Sequence, residues 1–445
     1  MKLPTFWGGI HPPQSKEFTA NEEIISYSPK GELVFPMAQN IGAPCSPVVA
    51  KGDRVLVGTR LGNNDAFVSA PILSSVSGTV KDVTMRQTVA GTLENCVVVE
   101  NDRQFELAPE WKPMADYETA DPKEYVKRIR DAGIVGFGGA TFPTAVKLSP
   151  PPDKKIKWLI VNGVECEPYL NCDNRIMLES PEKILKGLEL VMRLFPDAEG
   201  IVAVENNKPK AISVLDAKVR EMGLKNVRVQ PMMVKYPQGA EKMLIEAITG
   251  QEFVITALPA DVGCIILNVR TIYQIYSAIV EGLPAVQRIV TVTGDAIAQP
   301  KNIRVPHGTC IRELIDLCGG FKEQPVKILS GGPMMGVSMR SLDVPVVKGT
   351  SGILCLTAKS TMLKPITACL RCGRCAEACP MGLVPTVLEP LVHARKYKEF
   401  EEAGGMNCIE CGSCTYMCPA NHPLTQGCRD GKVSVMAMRR KAAAK

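Results

Sequence analysis

Two cysteine runs near the end of the chain have the residue type and spacing for redox chemistry. The first is Cys369, Cys372, Cys375 and Cys379, followed by Pro380; the second is Cys408, Cys411, Cys414 and Cys418, followed by Pro419. Both read C-x2-C-x2-C-x3-C-P, the spacing that holds [4Fe-4S] clusters in pairs. Three thiolates three residues apart let one loop wrap three iron corners of a cubane. The fourth corner is filled from elsewhere, and the proline turns the chain away. The spacing therefore predicts one cluster on Cys369, Cys372, Cys375 and Cys418, and another on Cys408, Cys411, Cys414 and Cys379. Zinc would favour two CxxC pairs separated by a longer loop.

A second candidate is "GIVGFGGATFPTAVKL", from Gly133 to Leu148. Gly136, Gly138 and Thr141 give G-x-G-x-x-T rather than the dinucleotide fingerprint G-x-G-x-x-G. Read alone, it is either a ligand loop or a structural turn. Three further stretches bear on it. "KWLIVNGVECEPYL" ends a strand in Asn162, Glu165 and Glu167, where open α/β sheets bind ligands. Acids there need solvent or donors such as ribose hydroxyls. "YPQGAEK" sets Tyr236, Gly239 and Glu241 before an apolar helix. "LNVRT" places Asn268 and Thr271 at a helix start. Only four histidines occur, far apart (His11, His307, His393, His422), which disfavours a histidine-based metal or nucleophile site. No acid–base or nucleophilic residue is nominated.

The elements that must position these residues divide the chain into a multidomain α/β protein with all-β parts. Residues 1–115 hold short Val-rich runs punctuated by Gly, Asn and Asp, which predict strands and tight turns. The pattern resembles the lipoyl-type barrel-sandwich. The candidate carrier tip, Ile72 to Gly78, has no lysine, so a scaffold role is expected. Residues 116–286 alternate strands with helices, a Rossmann-like α/β domain with a largely parallel sheet. Asp121 and Pro122 read as N-cap and first turn of its leading helix, with Gly133 as the stop. Residues 287–360 predict a β-grasp-like (SLBB) unit: two strands, a loop, then a helix closed by a Gly pair. Residues 361–430 carry the cysteines between short helices, as a ferredoxin-type domain. Residues 431–445 form a basic tail, whose end, Met438 to Lys445, is expected to be solvated and frayed.

The bulk numbers are compatible with this division. The chain has 445 residues, 45% of them apolar, and a formal charge of +6 from 52 basic and 46 acidic side chains. So small an excess does not suggest a nucleic-acid footprint. No apolar run reaches the ~18 residues of a spanning helix, and the N-terminus lacks a secretory h-region. With no export signal, the 17 cysteines are not a disulfide framework. The nine outside the runs (Cys45, Cys96, Cys166, Cys172, Cys264, Cys310, Cys318, Cys355, Cys428) read as small buried hydrophobes.

The glycine loop and the three accompanying stretches together resemble the flavin- and NADH-binding subunit of respiratory complex I. The resemblance implies that Gly136, Gly138 and Gly139 cradle the FMN phosphate and approach the nucleotide. It implies that Asn162, Tyr236, Gly239, Asn268 and Thr271 bind FMN. Phe142 and Lys147 would contact NADH, and Glu165, Glu167 and Glu241 would line the nicotinamide side. The sequence departs from that pattern at Phe137, Val164, Ala240 and Arg270. Over nearly the whole chain, "FWGGIHPP", "GATFPTAVKL", "VNGVECEPYLNCD", "SGGPMMG" and the paired cysteine runs resemble the RnfC family of Rnf electron-transport complexes. That resemblance implies a peripheral subunit on the cytoplasmic face of the membrane, partnered by integral membrane and iron–sulphur subunits. It would exchange a hydride between NAD(H) and FMN and pass single electrons to or from two [4Fe-4S] clusters. The alternatives are a soluble corrinoid-type flavin reductase and a cluster-only electron-transfer adaptor.

Overall fold

The computed structural model describes residues 3–252, 257–361 and 364–443. The Val-rich N-terminal text forms two small antiparallel sheets. One orders Glu32–Pro36, Leu93–Asn101, Gly78–Gln87 and Arg54–Val55; the other orders Ser46–Pro47, Arg60–Asn63 and Ile72–Leu73. Alternate side chains (Leu33, Phe35, Val97, Val99) close on Leu61, Ile72 and Val76 to make the barrel-sandwich core. The would-be carrier tip is not a tip. Residues 71–78 are buried throughout, and Ser75 Oγ donates to the His307 carbonyl at 2.6 Å. This seats the barrel on the β-grasp unit.

The middle domain has a four-stranded parallel sheet, ordered Val227–Met232, Glu199–Glu205, Trp158–Asn162, Cys264–Asn268. The central strands are apolar on both faces because helices cover both (Pro122–Asp131, Pro181–Met192, Pro209–Glu221, Glu241–Thr249). The leading helix begins as expected: the Asp121 carboxylate accepts from Lys123 N, Pro122 occupies the first turn, and Gly133 follows the end at φ +69°. In register, Asn268 lies directly beside Asn162 at the carboxyl ends of their strands.

The β-grasp sheet has six strands: Ile24–Ser26, Lys301–Pro306, Gln287–Thr293, Gly352–Leu356, Lys327–Ser330 and Val337–Ser338. The expected strand pair is antiparallel, and the helix Ile311–Leu317 ends at Gly319 and Gly320, both with positive φ. Its first strand comes from the N-terminal segment, which crosses the molecule before entering the barrel.

The cysteine runs lie among short helices (Arg374–Glu377, Pro385–His393, Tyr397–Glu402, Ser413–Met417) around Leu383, Leu388 and Phe400. One expectation is corrected here. The basic tail is not frayed but is the last part of a helix, Leu424–Ala443. Val435 packs into the cluster-domain core, and Arg439 pairs with Glu401. Residues 444–445 lie outside the described residues. Among the described residues, no helix is long and apolar enough to cross a membrane.

Candidate functional site

The glycine loop is a tight hairpin. Gly136 N donates to Phe142 O at 2.9 Å and Thr144 N to Ile134 O at 3.2 Å. The helix that follows is only Thr144–Lys147, so the loop does not rest on a long helix as a dinucleotide fingerprint would. It rests instead on the start of the helix Val269–Tyr276: Phe137 N donates to Thr271 Oγ1 at 3.0 Å. Gly138 is obligatory, because a Cβ there would come within 2.5 Å of Asn268 Nδ2. At Gly139 a Cβ would meet nothing within 4 Å. Gly138, Gly139 and Ala140 are exposed. They form an open mouth over the carboxyl end of the sheet and a helix N-terminus, which suits a phosphorylated ligand.

Asn268 is the N-cap of that helix, its Oδ1 accepting from Arg270 N at 3.0 Å. Its Nδ2 donates to Asn162 O at 3.2 Å and to Asp173 Oδ2 at 2.7 Å. Asn162 Nδ2 donates to Gly239 O at 2.8 Å. Lys147, half-buried, pairs with Glu241 at the start of its helix and donates to Ile266 O at 3.0 Å. The structure thus brings Gly138, Lys147, Asn162, Gly239, Glu241, Asn268 and Thr271 together from four separate stretches.

Two acids have partners the sequence did not reveal. The Glu165 carboxylate accepts from Asp173 N at 2.7 Å and Asn174 N at 3.0 Å, capping the helix Cys172–Glu179. Burial pushes its pKa up, opposed by the Lys16 ammonium. Glu167 Oε1 accepts from Met334 N at 2.7 Å and Met335 N at 3.0 Å, in the loop of "SGGPMMG"; burial raises its pKa as well. The donors these acids needed are the protein's own amides, in place of the ribose hydroxyls expected.

The departures at Phe137 and Arg270 are also accounted for internally. Arg270 is buried and its Nε lies 2.5 Å from Asp173 Oδ1. Phe137 packs beneath the Arg288 guanidinium, 5.0 Å from its ring centroid. Asp173 is the residue sequence reasoning missed. It stands inside the quoted "VNGVECEPYLNCD", and Arg270 was the signal for a nearby acid.

Tyr236 is buried, in a cis bond to Pro237. Its hydroxyl donates to the carbonyl of Cys411 at 2.7 Å, joining this site to the second cysteine run. Cys379, Cys408, Cys411 and Cys414 line one open crevice of about 360 Å³. Backbone amides point at its sulphurs, Leu383 N to Cys379 Sγ and Glu410 N to Cys408 Sγ, each at 3.4 Å. Cys428 is buried in the cluster-domain core, as its reading as a small hydrophobe expects, and has a second contact the sequence did not show. It lines the same crevice, and its hydrogen bond to Cys408 is the main cause of a Cys408 pKa lowered to about 7.

Cys375 and Cys418 pack together on Leu424, while Cys369 and Cys372 are exposed. The start of the first run is tied to the end of the second by Thr367 N donating to Ala420 O at 3.1 Å and Asn421 Nδ2 to Pro365 O at 3.1 Å.

Zinc would hold its thiolates at about 2.3 Å, and so within roughly 4 Å of one another. Among the described residues, the only metal-ligating group within 4.8 Å is Glu165, Cys172 and Asp173. Those acids are already committed to backbone amides and Arg270. Among the described residues no three thiols of the cysteine runs lie within 4.8 Å of one another, too wide for one zinc ion. The open glycine mouth fits a flavin phosphate, and the thiol crevice fits a cluster.

Four families match along the chain: the RnfC barrel sandwich hybrid domain over residues 4–104, the Nuo51 FMN-binding domain over 129–277, the SLBB domain over 289–338 and the 4Fe-4S dicluster domain over 368–422. The chain is 46% identical to the C-type subunit of the proton-translocating ferredoxin:NAD(+) oxidoreductase complex of Clostridium ljungdahlii, over 90% of this chain and 87% of that one. It is 45% identical to the counterpart in the Na(+)-translocating complex of Acetobacterium woodii, over 99% of both. The C-type subunit of the ion-translocating oxidoreductase complex of Rhodobacter capsulatus is 40% identical over 94% of this chain and 81% of its own. Among solved structures, an NAD+-reducing [NiFe]-hydrogenase in the air-oxidised state shares the fold, with a TM-score of 0.51 and 19% identity, covering 73% of this chain and 62% of that one.

Proposed function

The chain belongs to the RnfC family of the ion-translocating ferredoxin:NAD(+) oxidoreductase complexes, and from that premise we propose that FMN and NAD(H) meet in the mouth above Asn268. The protein is an oxidoreductase subunit with an FMN-binding domain and a two-cluster domain. Bound here, FMN supplies the exchange between the hydride pair of NADH and the single electrons that [4Fe-4S] clusters accept.

The chain's own residues bind and orient. Gly136, Gly138 and Gly139 let the backbone approach the phosphate, and Asn268 and Thr271 present the helix start to it. Asn162, Gly239 and Tyr236 form the floor. Phe142 and Lys147 face the nicotinamide nucleotide, with Glu241 holding Lys147 in place. Glu165 and Glu167 act from behind the mouth, the first through the helix that carries Asp173, the second through the Met334–Met335 loop. The hydride would pass directly between the two bound cofactors, and the proton left when the electrons go singly to the clusters would leave to solvent through the open mouth.

Cys408, Cys411, Cys414 and Cys379 hold the cluster nearer the flavin. Cys369, Cys372, Cys375 and Cys418 hold the outer one, whose exposed ligands face an iron–sulphur partner. The observation that carries this reading is the hydrogen bond from Tyr236, in the flavin floor, to the carbonyl of cluster ligand Cys411. Integral membrane subunits anchor the chain at the cytoplasmic face.

The test is anaerobic absorption and EPR spectroscopy of the cluster-reconstituted chain with FMN, before and after NADH. Bleaching of the flavin band with reduced-cluster signals is the expected result. Clusters that dithionite reduces, in a chain that binds no flavin and ignores NADH, would replace this reading with that of an adaptor.

A further inference from the structure

The segment "FWGGIH", Phe6 to His11, holds no cofactor residue, yet it lies between the flavin floor and the nearer cysteine crevice. On one side it is bonded to residues 233–236, with an isolated antiparallel bridge between Ile10 and Tyr236. Met233 N donates to Pro4 O at 3.2 Å, Ile10 N to Tyr236 O at 2.8 Å and Tyr236 N to Ile10 O at 2.9 Å. Phe6 is buried beneath Lys235, whose Nζ sits 4.5 Å from the ring centroid and donates to Phe6 O at 2.7 Å.

On the other side, Gly9 N donates to Ala378 O at 3.1 Å. A Cβ on Gly8 would stand 3.0 Å from Cys379 O, and one on Gly9 would stand 2.7 Å from Tyr236 O. Both glycines have positive φ, +74° and +77°, so each is required by conformation and by space. Ile10 packs with Tyr236, Ala378 and Cys411 in one buried cluster. The segment thereby grips two ligands of the same crevice: Cys379 directly, and Cys411 through the Tyr236 it holds.

We propose that Phe6–His11 is a positioning strap that fixes the nearer cluster at its span from the flavin and keeps water from the Cys379 edge. The inference rests on the flavin and cluster assignments above. None of the strap residues touches a reacting atom; they act through Tyr236 and Cys379. Electron transfer falls steeply with distance and so answers first to a shift of the Cys379 loop, whereas the mouth itself is held by Asn268 and Thr271, whose hydrogen bonds run to Asn162, Asp173, Phe137 and Val135 and not to the strap. The strap therefore governs the second step and not the first.

The test uses the full reconstituted chain and the variant Gly8→Val. NADH should bleach bound flavin at the unaltered rate. Appearance of the reduced-cluster signal should slow several-fold. Amide hydrogen exchange over residues 409–412 should speed up, with dithionite-reduced signals of both clusters retained. Phe6→Ala, which loosens the strap at Lys235 without meeting a cysteine loop, is the second variant and should show the same split.

Cluster reduction at the unaltered rate in both variants overturns the proposal. So does a parallel loss of flavin bleaching and cluster signals in both, which would make the segment part of the general fold only. If the unaltered chain itself shows no NADH bleaching, the flavin reading has failed. The amide-exchange comparison then still decides whether the strap holds the crevice.

Discussion

Replacing Asp173 with alanine should destabilise the flavin domain far more than replacing Asp173 and Arg270 together. The pair is buried, the side chains 5% and 8% exposed, with Arg270 Nε 2.5 Å from Asp173 Oδ1. Burial works against the Arg270 charge, and Asp173 more than offsets it, leaving the Arg270 pKa above its ordinary value. Its buried neighbour Arg288 is driven well below the ordinary value by burial and then by Arg270 itself. Asp173→Ala leaves an uncompensated buried guanidinium beside another, a change that costs about 3–5 kcal/mol. Asp173→Leu with Arg270→Met removes both charges, and such replacements are often neutral to within about 1 kcal/mol or stabilising. Urea unfolding of the two variants and the parent measures this difference.

Flavin affinity should separate from stability. Asp173 Oδ2 also receives Asn268 Nδ2 at 2.7 Å, and Asn268 keeps its cap bond and its contact with Asn162 O when that partner is lost. A hydrogen bond to a charged group contributes about 1.5–3 kcal/mol. Partial loss of it should therefore weaken FMN roughly tenfold in both variants, by fluorescence titration. Equal destabilisation by the single and double replacements would refute the charge-compensation argument. A double variant that binds FMN as tightly as the parent would refute the claim that Asp173 orients Asn268 for the flavin.

Cys379→Ser should lose the nearer cluster and keep the outer one, and Cys418→Ser the reverse, by iron content and EPR; the opposite pattern would mean each run fills its own fourth corner. Cys428→Ala removes a thiol hydrogen bond to Cys408 and should move the midpoint potential of the nearer cluster in the negative direction, since such bonds favour the more reduced, more negative state; spectroelectrochemistry checks the sign. Lys348 is buried, with Nζ donating to Pro71 O at 2.7 Å and Gly133 O at 2.8 Å, and burial lowers its pKa from 10.5 to about 8. The unfolded chain then binds the proton more tightly between pH 8 and 10.5. Stability should rise with pH across that window by up to about 3 kcal/mol, with the full penalty present below it. Lys348→Met should flatten that rise in pH-dependent unfolding.

The cysteine runs and the parallel-sheet strands were legible because their signals are local: a thiol every third residue, or an apolar run closed by a polar residue. Asn162 and Asn268 could be nominated for the same reason, since each ends its strand. Cys428 was not legible. It follows Cys418 at a spacing that matches no ligand pattern, and only the helix from Leu424 brings it to the crevice. The partners of Glu165 and Glu167 were not legible because a sequence shows an acid at a strand end but not the backbone amide folded onto it. The path of the N-terminal thirty residues was illegible for a related reason. Their partners lie hundreds of residues away, and backbone pairing such as Ile24 with Asn302 leaves little trace in side-chain pattern.

Those long-range pairings bear on what this chain contributes to its complex. What they hold is spacing. The N-terminal segment pairs with the β-grasp sheet and with the Tyr236 edge, Ser75 joins barrel to β-grasp unit, and Lys348 ties that unit to the start of the glycine loop. Each tie crosses a domain boundary, and of them only the pairing at Tyr236 touches a cofactor residue. On the reading proposed above, the barrel and β-grasp units would act as the frame that keeps flavin mouth and thiol crevice in register. A loss of electron transfer should follow from breaking any of these ties, even with both cofactor sites intact.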